Sequence, residues 1–324
     1  MKFEFSAGVV IYTYKGGKRR FLFLDRADML DVPKGHIEEG ENAEDAARRE
    51  TREEAGIADL RLDRYFRDEM VYWHMKSGEK IKKHVTLFLS RVADDTKVKT
   101  SFEHTGFEWL TLDEAMRKLK FKDQKELAVR VNDYVDRLEA MEELNREYAQ
   151  LPKKYKDWDL STKFVPGHGP LNAMMMFVGQ APGRNEDSAA EPFVGAAGKF
   201  LNTMIRRAGL KREKVYITSI VQFFPPDNRL PTEEETKRCM PFLKRQIAIV
   251  KPKLIVSLGN YSTQNLVGLS EVNKNHGRIV KSEYGDVFIT LHPAAAVRIK
   301  ANVPTVEKDF DKLKEIISRQ THKA

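Results

Sequence analysis

The sequence has few of the residues that crosslink a chain or anchor it in a membrane. Its 324 residues include a single cysteine, Cys239, so no disulfide can form within the chain. No run of about 18 apolar residues occurs, which argues against a membrane-spanning helix. The first residues show no signal-peptide pattern. We therefore expect a cytoplasmic protein with no membrane partner.

Negative charge is scarce in the second half of the chain. Residues 1–150 hold 28 Lys and Arg against 31 Asp and Glu, a net charge of −3. Residues 151–324 hold 28 against 17, a net charge of +11. A basic domain is expected to meet a polyanion, most often nucleic acid. Because the length also exceeds a usual single core, we expect two domains, the second with DNA as its partner.

One pattern in the first half specifies a chemistry. Residues 35–57 read G-x5-E-x7-R-E-T-x-E-E-x-G-I. Glu50, Glu53 and Glu54 are spaced i, i+3 and i+4, so on a helix their carboxylates share one face. Such oxygen ligands suit Mg²⁺ or Mn²⁺, which can neutralise a polyphosphate and lower the pKa of an attacking water. Arg49, next to them, can orient the acidic cluster.

This pattern resembles the Nudix box of the Nudix hydrolases. Thr51 stands where that family usually has an aliphatic residue, which leaves the ligands untouched. The resemblance implies that Glu50, Glu53 and Glu54 hold the metal and that Glu53 and Glu54 take part in catalysis.

The flanking sequence supports the same fold. Apolar runs at 8–14 and 20–25 are separated by KGGK at 15–18, which predicts a hairpin, and residues 85–92 predict another strand. Together they suggest a mixed sheet that holds the acidic helix, the α/β/α sandwich of the Nudix fold.

Three short motifs resemble the asymmetric diadenosine tetraphosphate hydrolases: PKGH at 33–36, FEH at 102–104 and EWL at 108–110. This resemblance makes Lys34 and His104 candidate contacts to phosphate or water. It makes Glu103 a candidate extra metal ligand or general base. We expect a nucleoside polyphosphate substrate, namely a dinucleoside tetraphosphate; hydrolysis of noncanonical or damaged nucleoside triphosphates is the alternative.

The Nudix fold is expected to end near residue 135. Residues 132–150 form a charged helical stretch followed by LPKK at 151–154. We assign residues 1–135 to the Nudix domain, 136–152 to a helical connector and 153–324 to a second domain.

The second domain alternates apolar runs with helical stretches. The runs lie at 174–178, 215–221, 254–258 and 287–291, and the helical stretches include 199–208 and 233–250. Thr232 and Glu235 form a capping box at the start of the latter. The pattern predicts a three-layer α/β/α domain with a parallel four-stranded sheet, whose ligand site lies at the carboxyl ends of the strands.

The residues that follow these strands form an ordered set of motifs. GQAPG at 179–183, PFVGAAGK at 192–199 and HPAA at 292–295 are the longest. The set resembles the uracil-DNA glycosylase superfamily over residues 164–317, most closely the iron–sulfur group known as family 4. By this resemblance His292 would donate to the uracil carbonyl that gains negative charge, and Phe193 would stack on a flipped-out base. The other candidate substrate contacts are Gln180, Ala181, Asp187, Ser219, Asn260 and Arg298.

Two departures from the family bear on activity. Gln180 replaces a glutamate and cannot act as a base, so the catalytic carboxylate would be Glu186 rather than Asp187. Ser219 replaces the asparagine that reads uracil and can make fewer hydrogen bonds, so base specificity should relax. We expect excision of uracil or a related deaminated base from DNA. The alternative is a nucleic-acid-binding module that has lost catalysis.

A third departure concerns the cofactor. Family 4 holds its four-iron, four-sulfur cluster with four cysteines, whereas only Cys239 is present here. One thiolate cannot hold a cluster, so no iron–sulfur cluster is expected. Phe223 and Phe224 are predicted to fill that region with apolar packing.

Overall fold

The structure is a computed structural model that describes residues 2–27, 29–76 and 78–321. The chain divides into two compact units, one ending at Val135 and the other beginning at Asp136. Within the described residues no helix combines the length and the apolar character that crossing a bilayer requires.

The first unit is built on a seven-stranded mixed sheet. Its strands, in chain order, are β1 (Lys2–Lys15), β2 (Lys18–Arg26), β3 (Met29–Asp31), β4 (Lys34–His36), β5 (Asp68–Lys76), β6 (Glu79–Arg91) and β7 (Gly106–Leu110). The main path is β3-β2-β1-β6-β5, while β4 pairs with β1 and β7 with β2. Strands β1 and β6 run parallel and the other pairs are antiparallel.

Helices cover both faces of this sheet. They are α1 (Ala43–Ala55), α2 (Leu112–Lys118) and α3 (Lys122–Tyr148). Ala46 and Ala47 of α1 pack on one face with Val9, and Leu127 and Val131 of α3 lie against the other. Helix α3 begins ten residues before the predicted stretch at 132 and includes the boundary between the units.

The predicted hairpin is confirmed. Lys15 pairs with Lys18 across a two-residue turn. Gly16 and Gly17 both have positive φ, 58° and 73°, which is the conformation that a tight two-residue hairpin requires.

The second unit has a five-stranded sheet in the order β11-β12-β10-β8-β9. Its strands are β8 (Met175–Gly179), β9 (Tyr216–Ser219), β10 (Leu254–Leu258), β11 (Ile279–Ser282) and β12 (Gly285–Thr290). Its helices are α4 (Leu151–Lys154), α5 (Arg184–Ala189), α6 (Ala196–Arg207), α7 (Glu233–Val250), α8 (Asn260–Val267), α9 (Val272–Asn275), α10 (Pro293–Arg298) and α11 (Val303–Thr321), with 3-10 turns at Arg212–Lys214, Pro226–Asn228 and Lys300–Asn302.

The four predicted parallel strands are present, but the sheet is not limited to them. Strand β11 pairs antiparallel with β12 at the edge. Its IVKS sequence is short and partly exposed, so it lacks the continuous apolar run by which a buried parallel strand is recognised. The predicted capping box of α7 is formed by Thr232 and Glu235.

Helices lie on both faces of the second sheet. On one face Phe177 clusters with Leu201 of α6 and Phe310 of α11. On the other, the Thr218 hydroxyl donates to the Gln246 side chain of α7 over 3.1 Å. Three layers result, and the carboxyl ends of β8, β9 and β12 open on one side.

Candidate active sites

Helix α1 presents the acidic cluster of the first unit. The Asn42 side chain caps its start by accepting from the backbone N–H groups of Glu44 and Asp45 at 2.9 and 3.0 Å. Gly56, with a φ of 70°, ends it in the left-handed conformation. Alanines of α1 pack on the sheet, and Glu50, Glu53 and Glu54, in the last two turns of the helix, line a cavity of about 960 Å³.

Glu50 and Glu53 are held by one arginine. The Arg49 guanidinium donates to Glu50 over 2.8 Å and to Glu53 over 3.2 Å, and it also contacts Glu41. A side chain on Gly35 would come within 2.0 to 2.2 Å of the Glu50 carboxyl group. Glycine at 35 therefore lets β4 lie directly against the acidic helix, and Arg49 orients the cluster as predicted.

Glu54 is the carboxyl most affected by its surroundings. One oxygen accepts from the Lys34 backbone N–H over 2.9 Å. Burial raises the pKa of Glu54 to about 7, although Lys34 lowers it in part. Burial alone would lower the pKa of Lys34, but its ion pair with Asp31, at 2.5 Å, outweighs this and the pKa is raised. Lys34 is therefore a cation at the cavity wall.

Glu103 and His104 also line this cavity. The Glu103 carboxylate lies 3.2 Å from the Arg26 guanidinium, and His104 Nε2 lies 3.9 Å from Glu54. Burial, followed by the charge of Arg26, lowers the pKa of His104. His104 is thus neutral near pH 7 and adjacent to Glu54, whereas Glu103 is engaged by Arg26.

The predicted metal ligands share a cavity without forming a closed ligand set. Among the described residues, no three His, Cys, Asp or Glu side chains converge as a metal site. The donors nevertheless fit a hard cation, because Glu50, Glu53 and Glu54 offer carboxylate oxygens only. A cation beside Glu54 would also relieve the repulsion from Glu50 that contributes to its raised pKa.

Several residues of this cavity were not found from the sequence. His36, Tyr72 and His74 line it, and Glu4 is hydrogen-bonded to Nε2 of both histidines, at 3.0 and 3.1 Å. They come from β1, β4 and β5, which are distant in sequence and meet only through sheet pairing. No sequence spacing signals their proximity.

The second unit has a cavity of about 570 Å³ at the carboxyl ends of its strands. It gathers most of the predicted residues of this site. Those lining it are Gln180, Ala181, Glu186, Phe193, Ser219, His292 and Arg298.

Three glycines make room for the two rings of this cavity. A Cβ on Gly179 would lie 2.7 Å from the Phe193 ring, and one on Gly198 would lie 1.8 Å from the Phe193 carbonyl oxygen. A Cβ on Gly259, whose φ is 90°, would lie 2.8 Å from the Cβ of His292. Phe193 itself has a φ of 54°, a strained conformation for a bulky residue. The surroundings therefore impose the position of this ring.

Glu186 fixes the loop that carries Phe193. Its carboxylate accepts from the backbone N–H groups of Gly183, Val194 and Gly195, at 3.1, 3.0 and 2.8 Å. With both oxygens engaged, this carboxylate is positioned to organise the loop rather than to activate water. The structure thus supports a positioning role where the sequence suggested a catalytic one.

His292 is held as a neutral donor. Its Nδ1 accepts from the Ala294 backbone N–H over 3.1 Å, which leaves Nε2 to carry the proton. Burial, followed by the charge of Arg298, lowers the pKa of His292 to about 4. The ring also lies near Phe193, with centroids 5.8 Å apart.

Two predicted substrate contacts are not brought into the cavity. Asp187 accepts from the Ser161 hydroxyl over 2.6 Å. The Asn260 side chain accepts from the Val272 backbone N–H over 2.6 Å. Both side chains hold neighbouring segments in place. Their positions in the sequence, beside motifs that line the cavity, did not predict this structural role.

The loop after β9 supplies residues that the sequence reading missed. Pro225, Asn228 and Arg229 line the cavity. Arg229 is anchored by Glu235, at 2.7 Å. In the sequence, Pro225-Pro226 and the following Arg229 indicate a loop, but they do not show that the loop folds over the cavity.

An aromatic cluster that includes Tyr148, a neighbour of Cys239, lies where the family resemblance implied an iron–sulfur cluster. Tyr148 stacks on Phe242 with centroids 4.3 Å apart. Phe223 is fully buried and meets Tyr148 at 5.4 Å and Trp158 at 4.9 Å. Burial raises the pKa of the Cys239 thiol to about 12, so it is not a thiolate. The predicted apolar packing by Phe223 is confirmed.

Two family models match the chain. The NUDIX domain model matches residues 2–131, and the model described as Uracil DNA glycosylase superfamily matches residues 166–318.

Curated relatives divide in the same way. The second half is similar to the type-4 uracil-DNA glycosylase of Sulfurisphaera tokodaii, with 42% identity over 189 residues that cover 55% of this chain and 86% of the relative. It is 36% identical to that of Archaeoglobus fulgidus over 192 residues, 56% of this chain and 96% of the relative. The asymmetrical bis(5'-nucleosyl)-tetraphosphatase of Sus scrofa is 45% identical over 96 residues, 29% of this chain and 63% of the relative.

Among solved structures, an Ap4A hydrolase of C. elegans in a binary complex is similar to the first unit. It is 28% identical, with a TM-score of 0.38 over 41% of this chain and 98% of that chain.

Proposed function

Because the chain is an enzyme that belongs to the uracil-DNA glycosylase superfamily and contains a Nudix hydrolase domain, we propose a separate hydrolytic reaction for each unit. The second unit excises uracil or a related deaminated base from DNA. The first unit hydrolyses a pyrophosphate bond of a nucleoside polyphosphate.

The geometry of His292 carries the proposal for base excision. Breaking an N-glycosidic bond leaves negative charge on the departing base. A neutral imidazole whose Nε2 carries the proton is a donor that can stabilise such a charge. Since the pKa of His292 is about 4, the ring keeps this form throughout the physiological range. The Ala294 N–H fixes its orientation.

The remaining cavity residues suit the other requirements of base excision. Phe193 offers a ring face for stacking on an extruded base. Gln180 can orient a water but cannot accept its proton. Glu186 accepts from three backbone N–H groups and is assigned no part in proton transfer, so the proton of the attacking water ends on the departing base anion. The reaction is then balanced, yielding free base and an abasic sugar.

A nucleic-acid-binding module remains the second candidate for this unit. Gln180 and Ser219 favour it because neither side chain is a base, and Glu186 favours it because its carboxylate is engaged by three backbone N–H groups. Release of uracil from labelled oligonucleotides, single-stranded or paired with guanine or adenine, distinguishes the two candidates. Excision predicts release, whereas tight, salt-sensitive binding without release would establish the module.

We also propose that base excision proceeds without an iron–sulfur cluster. A single cysteine cannot replace four thiolates, and the rings around Cys239 occupy the space beside it. The purified active protein should contain no stoichiometric iron and show no absorbance band near 400 nm. Iron that copurifies with activity and is lost together with it would contradict this proposal.

In the first unit, Glu54 is the group best suited to accept the proton of an attacking water. Its carboxyl group lines the cavity, and the Lys34 N–H fixes one of its oxygens, as the positioning of a general base requires. Glu50 and Glu53, with Glu54, would hold Mg²⁺ or Mn²⁺. That ion supplies charge neutralisation and a lowered pKa for water. The Lys34 ammonium supplies further positive charge toward a polyphosphate.

Two substrate classes are candidates for this unit. Dinucleoside tetraphosphates are favoured by the motifs at 102–104 and 108–110 and by the name of the pig relative. Damaged or noncanonical nucleoside triphosphates are favoured by the fusion to a base-excision domain. Product analysis separates them. ATP plus AMP from diadenosine tetraphosphate supports the first, and a monophosphate plus pyrophosphate from a modified triphosphate supports the second.

A further inference from the structure

One face of the sheet in the first unit is exposed and aromatic. Along β1, Ala7 and Val9 are buried in the cluster formed with α1. Phe5 and Phe3 follow on the same side of the strand, because side chains alternate with a period of two. They are 57% and 50% exposed. The sheet thus extends beyond its covering helix with two rings uncovered.

Neighbouring strands continue this surface. Phe3 lies opposite Lys82 and Phe5 opposite His84 on β6. Trp73 of β5 lies opposite the same Lys82, so all of these side chains belong to one face. Trp73 is 43% exposed. We call this surface, formed by Phe3, Phe5, Trp73, Lys80, Lys82 and His84, the aromatic platform.

A lysine and a histidine ring lie directly among the aromatic rings of the platform. Lys80 Nζ lies 4.9 Å from the centroid of the Trp73 ring, and the His84 ring stacks on Phe5 with centroids 5.5 Å apart. The neighbouring Glu79 is paired with Lys2 at 2.5 Å. On β5 the platform ends before Glu69, which lies on the same side. The platform therefore combines flat apolar faces with unbalanced positive charge.

This combination identifies the chemistry of the partner. Exposed apolar patches of this kind mark binding surfaces, and rings interleaved with lysines are how proteins bind single-stranded nucleic acid, by stacking bases and tracking phosphates. We propose that the aromatic platform binds a single-stranded polynucleotide. The platform lies on the face of β1 and β5 opposite Glu4 and His74, and none of its six residues is among those that line the cavity beside α1, so it is a separate site.

Ring spacing favours an extended strand over a duplex. Phe3 and Phe5 are two residues apart, about 6.7 Å along the strand. That is about twice the 3.4 Å rise between stacked bases of a duplex strand. In a duplex, the faces of the bases are also covered by the neighbouring bases. A second copy of the chain fits less well, because self-pairing of this face would bring Lys80 and Lys82 against like charges.

Photo-crosslinking of the full chain tests the proposal. The probes are a 12-nucleotide oligo-dT carrying one 5-iododeoxyuridine and the corresponding oligo-U, and the crosslinked peptides are mapped by mass spectrometry. We expect crosslinks to Phe3, Phe5 or Trp73, with the two probes showing which sugar is preferred. Crosslinks confined to residues 166–318 would overturn the proposal.

The affinity of the platform is measured by following the crosslink yield at the peptides that contain Phe3, Phe5 or Trp73 as the oligonucleotide concentration is raised. Trp73→Ala should weaken this site about tenfold, and Phe5→Ala by a similar factor, since each removes one stacking ring. Trp73→Phe should retain binding. Phe121→Ala is the matched control, because Phe121 is also 50% exposed but lies outside the platform. Equal affinities for Trp73→Ala and Phe121→Ala would contradict the proposal.

Charge and self-association complete the test. Replacing Lys80 and Lys82 by Ala should reduce the slope of log affinity against log salt by about 1.4, or 0.7 for each phosphate contact on a single strand. A Trp73→Ala variant that loses a dimer in sedimentation, with nucleic-acid binding intact, would assign the platform to a second copy instead. Uracil release and nucleotide hydrolysis, measured in the same variants, should persist, so failure of either proposed activity is scored independently.

Discussion

In both cavities burial shifts the pKa of a functional side chain, an acid in the first unit and a base in the second. In the first unit burial raises the pKa of Glu54 to about 7, and in the second it lowers the pKa of His292 to about 4. Both shifts favour the neutral form. A crowded set of carboxyl groups gains most when a cation arrives, whereas a neutral imidazole already matches an anionic leaving group. This difference supports the metal-assisted reaction proposed for the first site and the donor role proposed for His292 in the second.

The largest difference between the two sites is expected when the charge of Glu54 is removed. Glu54→Gln keeps the shape but cannot accept a proton, so nucleotide hydrolysis should fall about 10²- to 10⁴-fold. Uracil release by the same preparation should not change. Glu39→Gln, which alters an exposed neighbour outside the cavity, is the control. Unchanged nucleotide hydrolysis in Glu54→Gln would contradict the role assigned to it.

In the second site, a substitution is expected to increase base specificity rather than to abolish activity. Ser219→Asn restores an amide that can both donate to and accept from a pyrimidine edge. A well-placed pair of hydrogen bonds contributes about 1–3 kcal/mol of discrimination between bases. The ratio of uracil release to release of another deaminated base, such as hypoxanthine, should therefore rise about tenfold or more. A ratio equal to that of Ser219→Ala would show that this position does not read the base.

The pH dependence of uracil release should show the smallest change. Because the pKa of His292 lies near 4 rather than 6.5, the rate should vary less than about twofold between pH 8 and 5 on its account. The lowered pKa also means that the stability contributed by neutral His292 is present above pH 6.5 and is lost as the pH falls through 4. A rate profile with a midpoint near 6.5 that disappears in His292→Asn would contradict this assignment.

The sequence predicted those parts of the molecule that depend on local pattern. The Gly16-Gly17 hairpin, the four parallel strands and the cap of α7 follow from turn residues, apolar runs and a Thr–Glu spacing. Strand β11 was missed because an edge strand with alternating polarity is not distinguished from a loop. The early start of α3 at Lys122 was missed because its first turns are as polar as the loop before them.

The sites were predicted less evenly. The spacing of Glu50, Glu53 and Glu54 fixes their common face, and the motif order identified Phe193 and His292. The role of Glu186 depends on N–H groups of Val194 and Gly195, eight and nine residues away, which only the folded loop brings to it. Residues that meet through sheet pairing leave no spacing to detect, as His74 shows by meeting Glu4 across 70 positions.

The most direct test of two independent sites in one chain is uracil release by wild type and His292→Ala, with nucleotide hydrolysis measured in the same samples. We expect the wild type to release uracil and His292→Ala to do so about 10²- to 10³-fold more slowly, as when one donor to a developing oxyanion is removed. Nucleotide hydrolysis should be equal in both. No release by the wild type on any substrate, or equal release by the variant, would contradict the account.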